Sequence, residues 1–526
     1  MVKCGYRFLL QLQVLWCVSG FVSILYSGDS SQPSAVIERV PHIFPDYVGV
    51  VIPPNIAPMN FRVNEPLDEV ELQIASCSGE PITLESGDGT FQIPITAWKN
   101  LLSRNHGQML TMAVRIKKDG AWKEFRPIVN RISNESIDPF LAYRLINPAY
   151  GLWTEMGLYQ RNLETFEEKP ILVNRLTEQS CMNCHSFNKN DPETMMMHLR
   201  GGAAGGTLIR RKNEIRKVNT ATDFNKPGAY PSWHPNGNII AFSVNSLTMF
   251  FHAQGESRDV LDSGSDLVLY LIDQNMITTG PGIHDPDRME TFPCWSPDGK
   301  YLFFCAADKL ESYVRQRNGV EDLFWETIRY DLMRIAYNVQ TNTWGKPETV
   351  LSAKEADGSI TEPRISPDGR YLLFTKAEYS NFPIYLKSAD VWLLDLQTKK
   401  YKKLESNSDK TDSFHSWSST GRWFVFASKR LDGLSARPFF SYINEDGTAS
   451  KPVLLPQEDP AFYDTFIKTF NVPELIKGPV TIDPRTWEET AMGEKIYKAR
   501  LDPNLVKFLP ATKAPETPDL YQRAPR

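Results

Sequence analysis

The sequence predicts a predominantly β protein whose largest part is a six-bladed β-propeller. Four segments of the C-terminal half repeat one pattern: a β-rich run, a turn containing Gly, and a second β-rich run. A second hairpin follows each segment, and two hairpins form the four-stranded sheet of one propeller blade. Two more hairpins of the second kind precede these units, which brings the predicted number of blades to six.

The four opening segments align on their turn glycines, which are spaced by 62, 70 and 52 residues. Pro presets φ for such a turn, Asp bonds to nearby backbone, and Gly accepts the left-handed conformation. Each segment is therefore predicted to form a hairpin. The segments are PSWHPNGNIIAFSVN from Pro231, PCWSPDGKYLFFCAA from Pro293, PRISPDGRYLLFTKA from Pro363 and HSWSSTGRWFVFASK from His415, with turns at Gly237, Gly299, Gly369 and Gly421.

The second hairpins are predicted from alternating β-rich runs with turn residues between them. Their spacing of roughly 48 to 66 residues is regular enough for one hairpin in each blade. They lie at about 156–173, 206–220, 266–280, 331–350, 390–404 and 438–455.

The repeat resembles that of TolB-like (WD40-like) β-propellers, in which a unit of the type W-S-P-D-G-K-Y-L-x-F recurs once in each blade. The resemblance covers residues 206–456 and, more weakly, 140–456. It implies a scaffold that docks proteins or binds ligands, and it implies no particular reaction. It rests on Trp233–Phe242, Trp295–Phe304, Ile365–Phe374 and Trp417–Phe426.

Two more regions flank the predicted propeller. Residues 37–138 are expected to form a β-sandwich-like domain, because the runs 69–76 and 109–132 alternate or pair as hairpins, the second with its turn at Asp119-Gly120. Residues 457–526 are rich in proline and predict an extended strap, with a tail after Pro510.

Residues 1–27 are typical of a signal peptide or an N-terminal membrane anchor. Lys3 and Arg7 precede an uncharged run of 19 residues, Phe8–Tyr26, and the composition then becomes polar. Such a run is just long enough to span a bilayer as a helix. Cleavage and retention remain equally open. Either way, most of the chain is expected in the periplasm or cell envelope, and a retained segment would tether it to the membrane at this end.

Charge argues against a nucleic-acid partner. The 58 Lys and Arg residues are outnumbered by 63 Asp and Glu residues, which gives a net charge of -5. A nucleic-acid-binding protein normally presents a basic face. The seven cysteines are too few for a disulfide-built scaffold. Cys294 and Cys305 flank one predicted hairpin in diagonal positions and are expected to be buried thiols.

Cys181, Cys184 and His185 form the sequence C-x-x-C-H, the attachment signature of c-type haem. Two thiols at this spacing can reach the two vinyl groups of a porphyrin, and the adjacent imidazole can bind the iron as proximal ligand. Composition alone would produce the motif with an expectation of about 0.0014. The motif predicts one covalent haem c in a segment spanning residues 178–202, where another blade's opening hairpin would fall.

Three other interpretations of the two cysteines stay open. A thioredoxin-like redox pair needs a strand-to-helix junction that is not evident here. A zinc site would use Cys181, Cys184, His198 and a fourth ligand, without a second C-x-x-C. A structural disulfide is the third.

A short helix from Pro192 to Arg200 is predicted to supply the distal iron ligand, which makes this segment a helical haem-binding insertion. Asp191-Pro192-Glu193 is typical of a helix start, and Gly201-Gly202 of a helix end. On such a helix His198 and Met195 would share one face. His198 is the first candidate and Met195 the alternative, while simple packing of the Met run remains open.

Together these features favour an envelope-located monohaem c-type cytochrome that transfers electrons, with a propeller that docks a redox partner or envelope protein. We predict no catalytic residue. A non-redox binding protein for an envelope protein or glycan is the alternative, and a peroxidase-like enzyme with an open distal position is a third possibility.

Overall fold

The computed structural model describes residues 35–147, 155–249, 260–317 and 320–505. The predicted leader and the tail after Pro510 lie outside these ranges. Strands make up 47% and helices 9%, which confirms the predicted β class. The chain divides into two compact units. Unit 1 contains the described residues up to Ile137 with 163–166 and 450–466, and unit 2 contains the others.

Helices are few and short in the described ranges, and none is long and apolar enough to cross a membrane. The α-helices are α1 Ile95–Ser103, α2 Ala353–Ala356, α3 Phe462–Thr465 and α4 Pro484–Met492. Short 3-10 turns occur at Asn174–Leu176, Leu310–Tyr313, Trp325–Thr327 and Pro383–Tyr385.

Unit 1 is built on a seven-stranded sheet with the path β1-β9-β8-β10-β3, to which β5 and β6 are added through β8, and on a three-stranded sheet β2-β4-β7. The predicted turn at Asp119-Gly120 is present, with φ of 53° and 77°. The strands are β1 Ala35–Ile37, β2 Ile43–Phe44, β3 Val51–Ile52, β4 Phe61–Val63, β5 Glu69–Ala75, β6 Ile82–Ser86, β7 Thr90–Phe91, β8 Met109–Lys118, β9 Ala121–Phe125 and β10 Ile128–Ile132.

Helix α1 was not expected in this unit. It buries Trp98, Leu101 and Leu102 on one face, at the i, i+3, i+4 spacing of an amphipathic helix. The Trp98 indole N–H donates to the carbonyl of Ile56 at 3.0 Å, so its polar atom is satisfied inside the core.

The strands of unit 2 follow one another as successive hairpins. They are β11 Phe140–Ile146, β12 Gly157–Asn162, β13 Glu168–Val173, β14 Cys181–Asn188, β15 Asp191–Arg200, β16 Gly206–Arg211, β17 Glu214–Asn219, β18 Ala229–Trp233, β19 Ile239–Met249, β20 Val260–Leu271, β21 Met276–Thr278, β22 Arg288–Trp295, β23 Tyr301–Asp308, β24 Val314–Arg317, β25 Val320–Leu323, β26 Asp331–Asn338, β27 Thr343–Trp344, β28 Glu348–Leu351, β29 Ser359–Ile365, β30 Tyr371–Ala377, β31 Asp390–Asp395, β32 Tyr401–Lys403, β33 Asp412–Trp417, β34 Trp423–Ser428, β35 Arg437–Tyr442, β37 Thr469–Ile476, β38 Tyr497–Lys498 and β39 Arg500–Leu501. Strand β36 Val453–Leu454 belongs to unit 1.

These strands form a series of sheets that we number in chain order. Sheet 1 is β37-β11-β12-β13, sheet 2 is β14-β15-β16-β17 with β38, and sheet 3 is β18-β19-β20-β21 with β39. Sheet 4 is β22-β23-β26-β27 with β28 on β26, sheet 5 is β29-β30-β31-β32, and sheet 6 includes β33-β34-β35 of this unit. Strands β24 and β25 form a separate hairpin.

The first strands of the sheets contact one another in a closed circle, in the order β37, β14, β18, β22, β29, β33 and back to β37. Radially repeated sheets around a common centre are the arrangement of a β-propeller. Strand β37 closes the circle, because it comes from the C-terminal region and pairs with β11 near the start of the unit. The proline-rich segment expected to be a strap therefore supplies an innermost strand, together with α4, β38 and β39.

Apolar side chains fill the spaces between neighbouring sheets. One cluster joins sheets 1 and 2 through residues such as Ile171, Met197 and Leu208, and also takes in Trp487 of α4. Another joins sheets 3 and 4. In sheet 4 Cys294 pairs with Phe303, and both Cys294 and Cys305 are buried free thiols. The diagonal positions of the two cysteines and their buried thiols agree with the prediction from the sequence.

The predicted helix over Pro192–Arg200 is wrong, because these residues lie in strand β15. Lys189 and Asn190 have φ of 53° and 61° and form a tight hairpin turn. Asp191, expected to cap a helix, accepts from the Glu193 backbone N–H at 3.0 Å and from the Thr194 hydroxyl at 3.0 Å. The apolar run that follows is buried on both faces of its sheet, which is the pattern of an internal strand.

Candidate functional site

The C-x-x-C-H motif begins the innermost strand of sheet 2. Cys181 pairs with Arg200 and His185 pairs with Met197, with a register shift between Met182 and His185. From Met182 to His185 strand β14 advances three residues, while its partner β15 advances only two. Strand β14 therefore has a β-bulge, which contains Cys184. Both cysteines are free and partly exposed. Burial raises the pKa of the Cys181 thiol to about 11, although the charges of Arg144 and Arg200 oppose this.

His185 is enclosed between sheets 1 and 2. It is 4% exposed, and its ring packs edge-on against Phe187 at 6.1 Å between centroids. Burial and the charge of Arg144 lower the pKa of His185 to about 3, while a backbone hydrogen bond with Val472 acts in the opposite direction. The imidazole is therefore neutral at physiological pH. Its Nε2 atom is buried and has no hydrogen-bond partner in the described protein.

The two candidate distal ligands lie on opposite faces of β15, so the prediction that they share a helix face is wrong. Cross-strand partners in a sheet point to the same side. Met195 is opposite Phe187, and Met197 is opposite His185, so Met195 and His185 share a face. His198 is on the other face, where its Nδ1 lies 3.0 Å from the Thr207 hydroxyl.

The surroundings of the two candidates differ accordingly. Met195 is fully buried in the apolar cluster between sheets 1 and 2. Burial, with a contribution from Arg200, lowers the pKa of His198 to about 3. No group of three or more His, Cys, Asp or Glu side chains that could hold a metal ion occurs in the described ranges. The alternative zinc site of Cys181, Cys184 and His198 is not assembled in this conformation.

A pocket of about 400 Å³ lies at the centre of the circle of innermost strands. Each of these strands contributes one residue at an equivalent place, directly before the Trp of the repeat motif or its counterpart. We call this set the pocket ring. Its members, in order around the circle, are Glu474, Ser186, Ser232, Cys294, Arg364 and Ser416.

Hydrogen bonds at the pocket ring link four pairs of neighbouring sheets. The Trp295 backbone N–H donates to the Ser232 hydroxyl at 3.2 Å, and the Phe187 backbone N–H donates to Glu474 Oε2 at 3.2 Å. The motif tryptophans add a second link, since the indole N–H of Trp233 donates to the Ser186 carbonyl and that of Trp417 to the Arg364 carbonyl. These hydrogen bonds fix the pocket walls in place.

Arg364 and Glu474 are the charged members of the pocket ring, and Ser416 stands between them around the circle of strands. No ion pair within 4.0 Å joins them in the described structure. The Arg364 guanidinium donates to the carbonyl of Pro363 at 3.0 Å. Burial raises the pKa of Glu474 to about 7, although the charge of Arg364 and the Phe187 N–H oppose this. Lys189 and Lys477 also line the pocket and are exposed.

Comparisons with known proteins reveal no close relative. No family model matches the chain, and no curated protein matches it. A chain of a nidogen/laminin complex is similar with 7% identity and a TM-score of 0.37, over 65% of this chain and 99% of that one. A prolyl endopeptidase aligns with 13% identity and a TM-score of 0.32, over 60% and 53% of the two chains. A DUF4784 family protein from Bacteroides caccae aligns with 8% identity and a TM-score of 0.30, over 72% and 96%. None of these similarities indicates an activity.

Sequence reasoning found the C-x-x-C-H motif but not the pocket ring. The signal for the ring was present in the repeat, because each opening segment has one variable residue between Pro or His and Trp or Ile. Glu474 was harder to find from the sequence than the other members of the pocket ring. Val472-Pro473-Glu474-Leu475 follows the same pattern, but it stands in the proline-rich segment, far from the other units.

Proposed function

We propose that the chain is a monohaem c-type cytochrome of the cell envelope, in which Cys181 and Cys184 attach the haem and His185 binds its iron. The supporting observation is the state of His185, a buried and neutral imidazole whose Nε2 has no partner. A metal-ligating imidazole needs a deprotonated nitrogen, and its ring is usually held by a backbone carbonyl or a carboxylate. The donor set, two free thiols and this imidazole, fits a c-type haem.

The residues of the motif have separate roles in this proposal. Cys181 and Cys184 would each add the S–H group across one vinyl group, so that a thioether bond forms to one vinyl carbon and the hydrogen goes to the other. Val472 and Phe187 orient the imidazole. A bound haem would supply a one-electron Fe(III)/Fe(II) couple. Of the predicted distal ligands, Met195 shares the His185 face, and Met ligation favours a higher reduction potential.

The propeller would serve as the docking surface. We interpret its sheets 1 to 6 as six TolB-like blades, and we propose that they present the haem segment to a redox partner or another envelope protein. The N-terminal 27 residues would direct the chain to the periplasm or tether it to the membrane. The non-redox alternative, a binding protein, is supported by a separate observation, the pocket at the centre of the ring.

Covalent haem is the decisive test. We expect the full chain, produced together with a haem-attachment system, to retain haem after denaturation and to give a pyridine haemochrome spectrum. Cys184→Ala should lose one thioether and shift that spectrum, because one vinyl group stays free. Cys77→Ala, which changes a cysteine of unit 1, is the control and should match the parent. Absence of covalent haem in the parent protein would refute the proposal.

The distal position gives a second prediction. His198→Ala should leave the absorption spectrum and reduction potential of the haem protein unchanged, because His198 lies on the opposite face of β15 from His185. Met195→Ala should change the spin state or lower the potential. A changed spectrum in His198→Ala with an unchanged one in Met195→Ala would show that the strand rearranges around the haem.

A further inference from the structure

The pocket at the centre of the ring has the dimensions and the lining of a ligand site. Its volume of about 400 Å³ lies in the range of small-molecule sites, roughly 300 to 1,000 Å³. Trp233, Trp295 and Trp417 contribute to its walls and are 5–6% exposed. Aromatic walls with a few fixed polar groups are typical of sites that bind small organic molecules.

The charges of the pocket favour an anion. Three basic side chains, Lys189, Arg364 and Lys477, line it against one carboxyl group, that of Glu474. Arg364 is the most buried of the three and stands in the pocket ring itself, whereas Lys189 and Lys477 are exposed. No carboxylate lies within ion-pair distance of its guanidinium in the described structure. A planar guanidinium without a carboxylate partner is suited to bidentate pairing with an anionic ligand.

Neutral donors complete the site. The hydroxyls of Ser186 and Ser416 stand in the pocket ring on either side of Glu474. A hydroxyl can donate a hydrogen bond to an anionic oxygen.

We propose that this pocket binds a small organic monocarboxylate, whose carboxylate pairs with Arg364 and whose ring or chain packs against the tryptophan walls. A monoanion suits the site better than a phosphate dianion, because Glu474 shares the ring and would repel a second negative charge. With its pKa raised to about 7, Glu474 is partly protonated near neutral pH, and that form can donate a hydrogen bond to a bound carboxylate. The proposal does not depend on haem attachment.

Calorimetric titration of the full chain at pH 7.5 with two pairs of probes tests this site. Benzoate and glucuronate carry the carboxylate on a flat and on a sugar ring, and benzamide and glucose are their uncharged counterparts. We expect at least one carboxylate to bind and its counterpart to bind at least about tenfold more weakly. The carboxylate that binds more tightly shows whether the pocket prefers a flat ring or a sugar ring. Binding of neither carboxylate, equal binding of charged and uncharged probes, or tighter binding of inorganic phosphate would overturn the proposal.

Two substitutions in the pocket ring should have opposite effects on the bound carboxylate. Arg364→Gln should weaken binding about tenfold or more, because it removes the counter-charge. Glu474→Gln should strengthen binding, because it removes the competing negative charge. A purely structural role for these residues would make both variants weaker or leave both unchanged, and either result would contradict the proposal. Arg334→Gln, in which a half-buried arginine of β26 outside the pocket loses its ion pair with Glu348, is the control and should bind like the parent.

Discussion

Leu475→Ala should destabilise unit 2 by about 2–5 kcal/mol, the usual cost of truncating a fully buried leucine. Leu475 lies in β37, is fully buried, and pairs with Leu141 of β11, which is also fully buried. The two strands join the C-terminal region to the start of the unit and close the circle of sheets. A cavity at this position weakens the closure as well as the local packing.

Tryptophan fluorescence during urea unfolding can measure this effect. Eight of the ten tryptophans in the described ranges belong to unit 2, and only Trp98 and Trp122 belong to unit 1. The main fluorescence transition should therefore report on the propeller. Ile467→Ala is the matched control, because Ile467 precedes the same strand and is 70% exposed. It should change stability by no more than about 0.5 kcal/mol. Equal effects of both variants would show that β37 does not hold the circle closed.

The propeller was largely predictable, because its hairpins carry local signals. Turn glycines such as Gly299 and Gly369 have φ of 72° and 74°, which is the left-handed conformation that the Pro-Asp-Gly sequence predicts. Strand β37 was not predictable in the same way. It pairs with a strand more than 300 residues away in the sequence, and no local turn sequence predicts a contact between such distant segments. The circle of innermost strands therefore closes through the pairing of distant segments and not through a hairpin.

The haem segment shows where local signals mislead. Asp191-Pro192-Glu193 and Gly201-Gly202 are typical of helix ends, yet the same residue types also serve tight turns between strands. The position of the segment in the repeat was the better guide, because an opening hairpin was due there. In a strand, residues three apart point to opposite faces. Because the segment is a strand and not the predicted helix, His198 and Met195 lie on opposite faces. The roles proposed for Cys181, Cys184 and His185 do not depend on that difference.

Glu290→Gln should stabilise the protein above neutral pH by up to a few kcal/mol, with little effect at pH 5. Glu290 in β22 is 1% exposed, and its Oε2 has no hydrogen-bond partner in the described structure. Its Oε1 accepts from the Asp285 backbone N–H at 3.3 Å. Burial, with the negative charges of Asp266 and Asp285, raises the pKa of Glu290 to about 8.

The sign of the effect follows from proton linkage. Between its ordinary pKa of about 4.5 and the folded-state value of about 8, Glu290 binds more protons in the folded chain than in the unfolded one. Stability therefore falls as pH rises through this window. Each unit of the shift is about 1.4 kcal/mol at most, and partial hydration reduces the total. Glutamine keeps the shape of the protonated acid and never ionises, so the variant avoids this loss.

Urea unfolding of parent and variant at pH 5, 6, 7, 8 and 9 checks the prediction. The difference in unfolding free energy should be near zero at pH 5 and should grow until about pH 8. Buried histidines with lowered pKa values, such as His185 and His415, destabilise both proteins equally in acid and cancel in the difference. Glu348→Gln, which changes an exposed glutamate of sheet 4, should show no comparable trend. A constant difference across this pH range would mean that Glu290 is ionised in the folded protein throughout, and that its negative charge is stabilised by the interior of sheet 4.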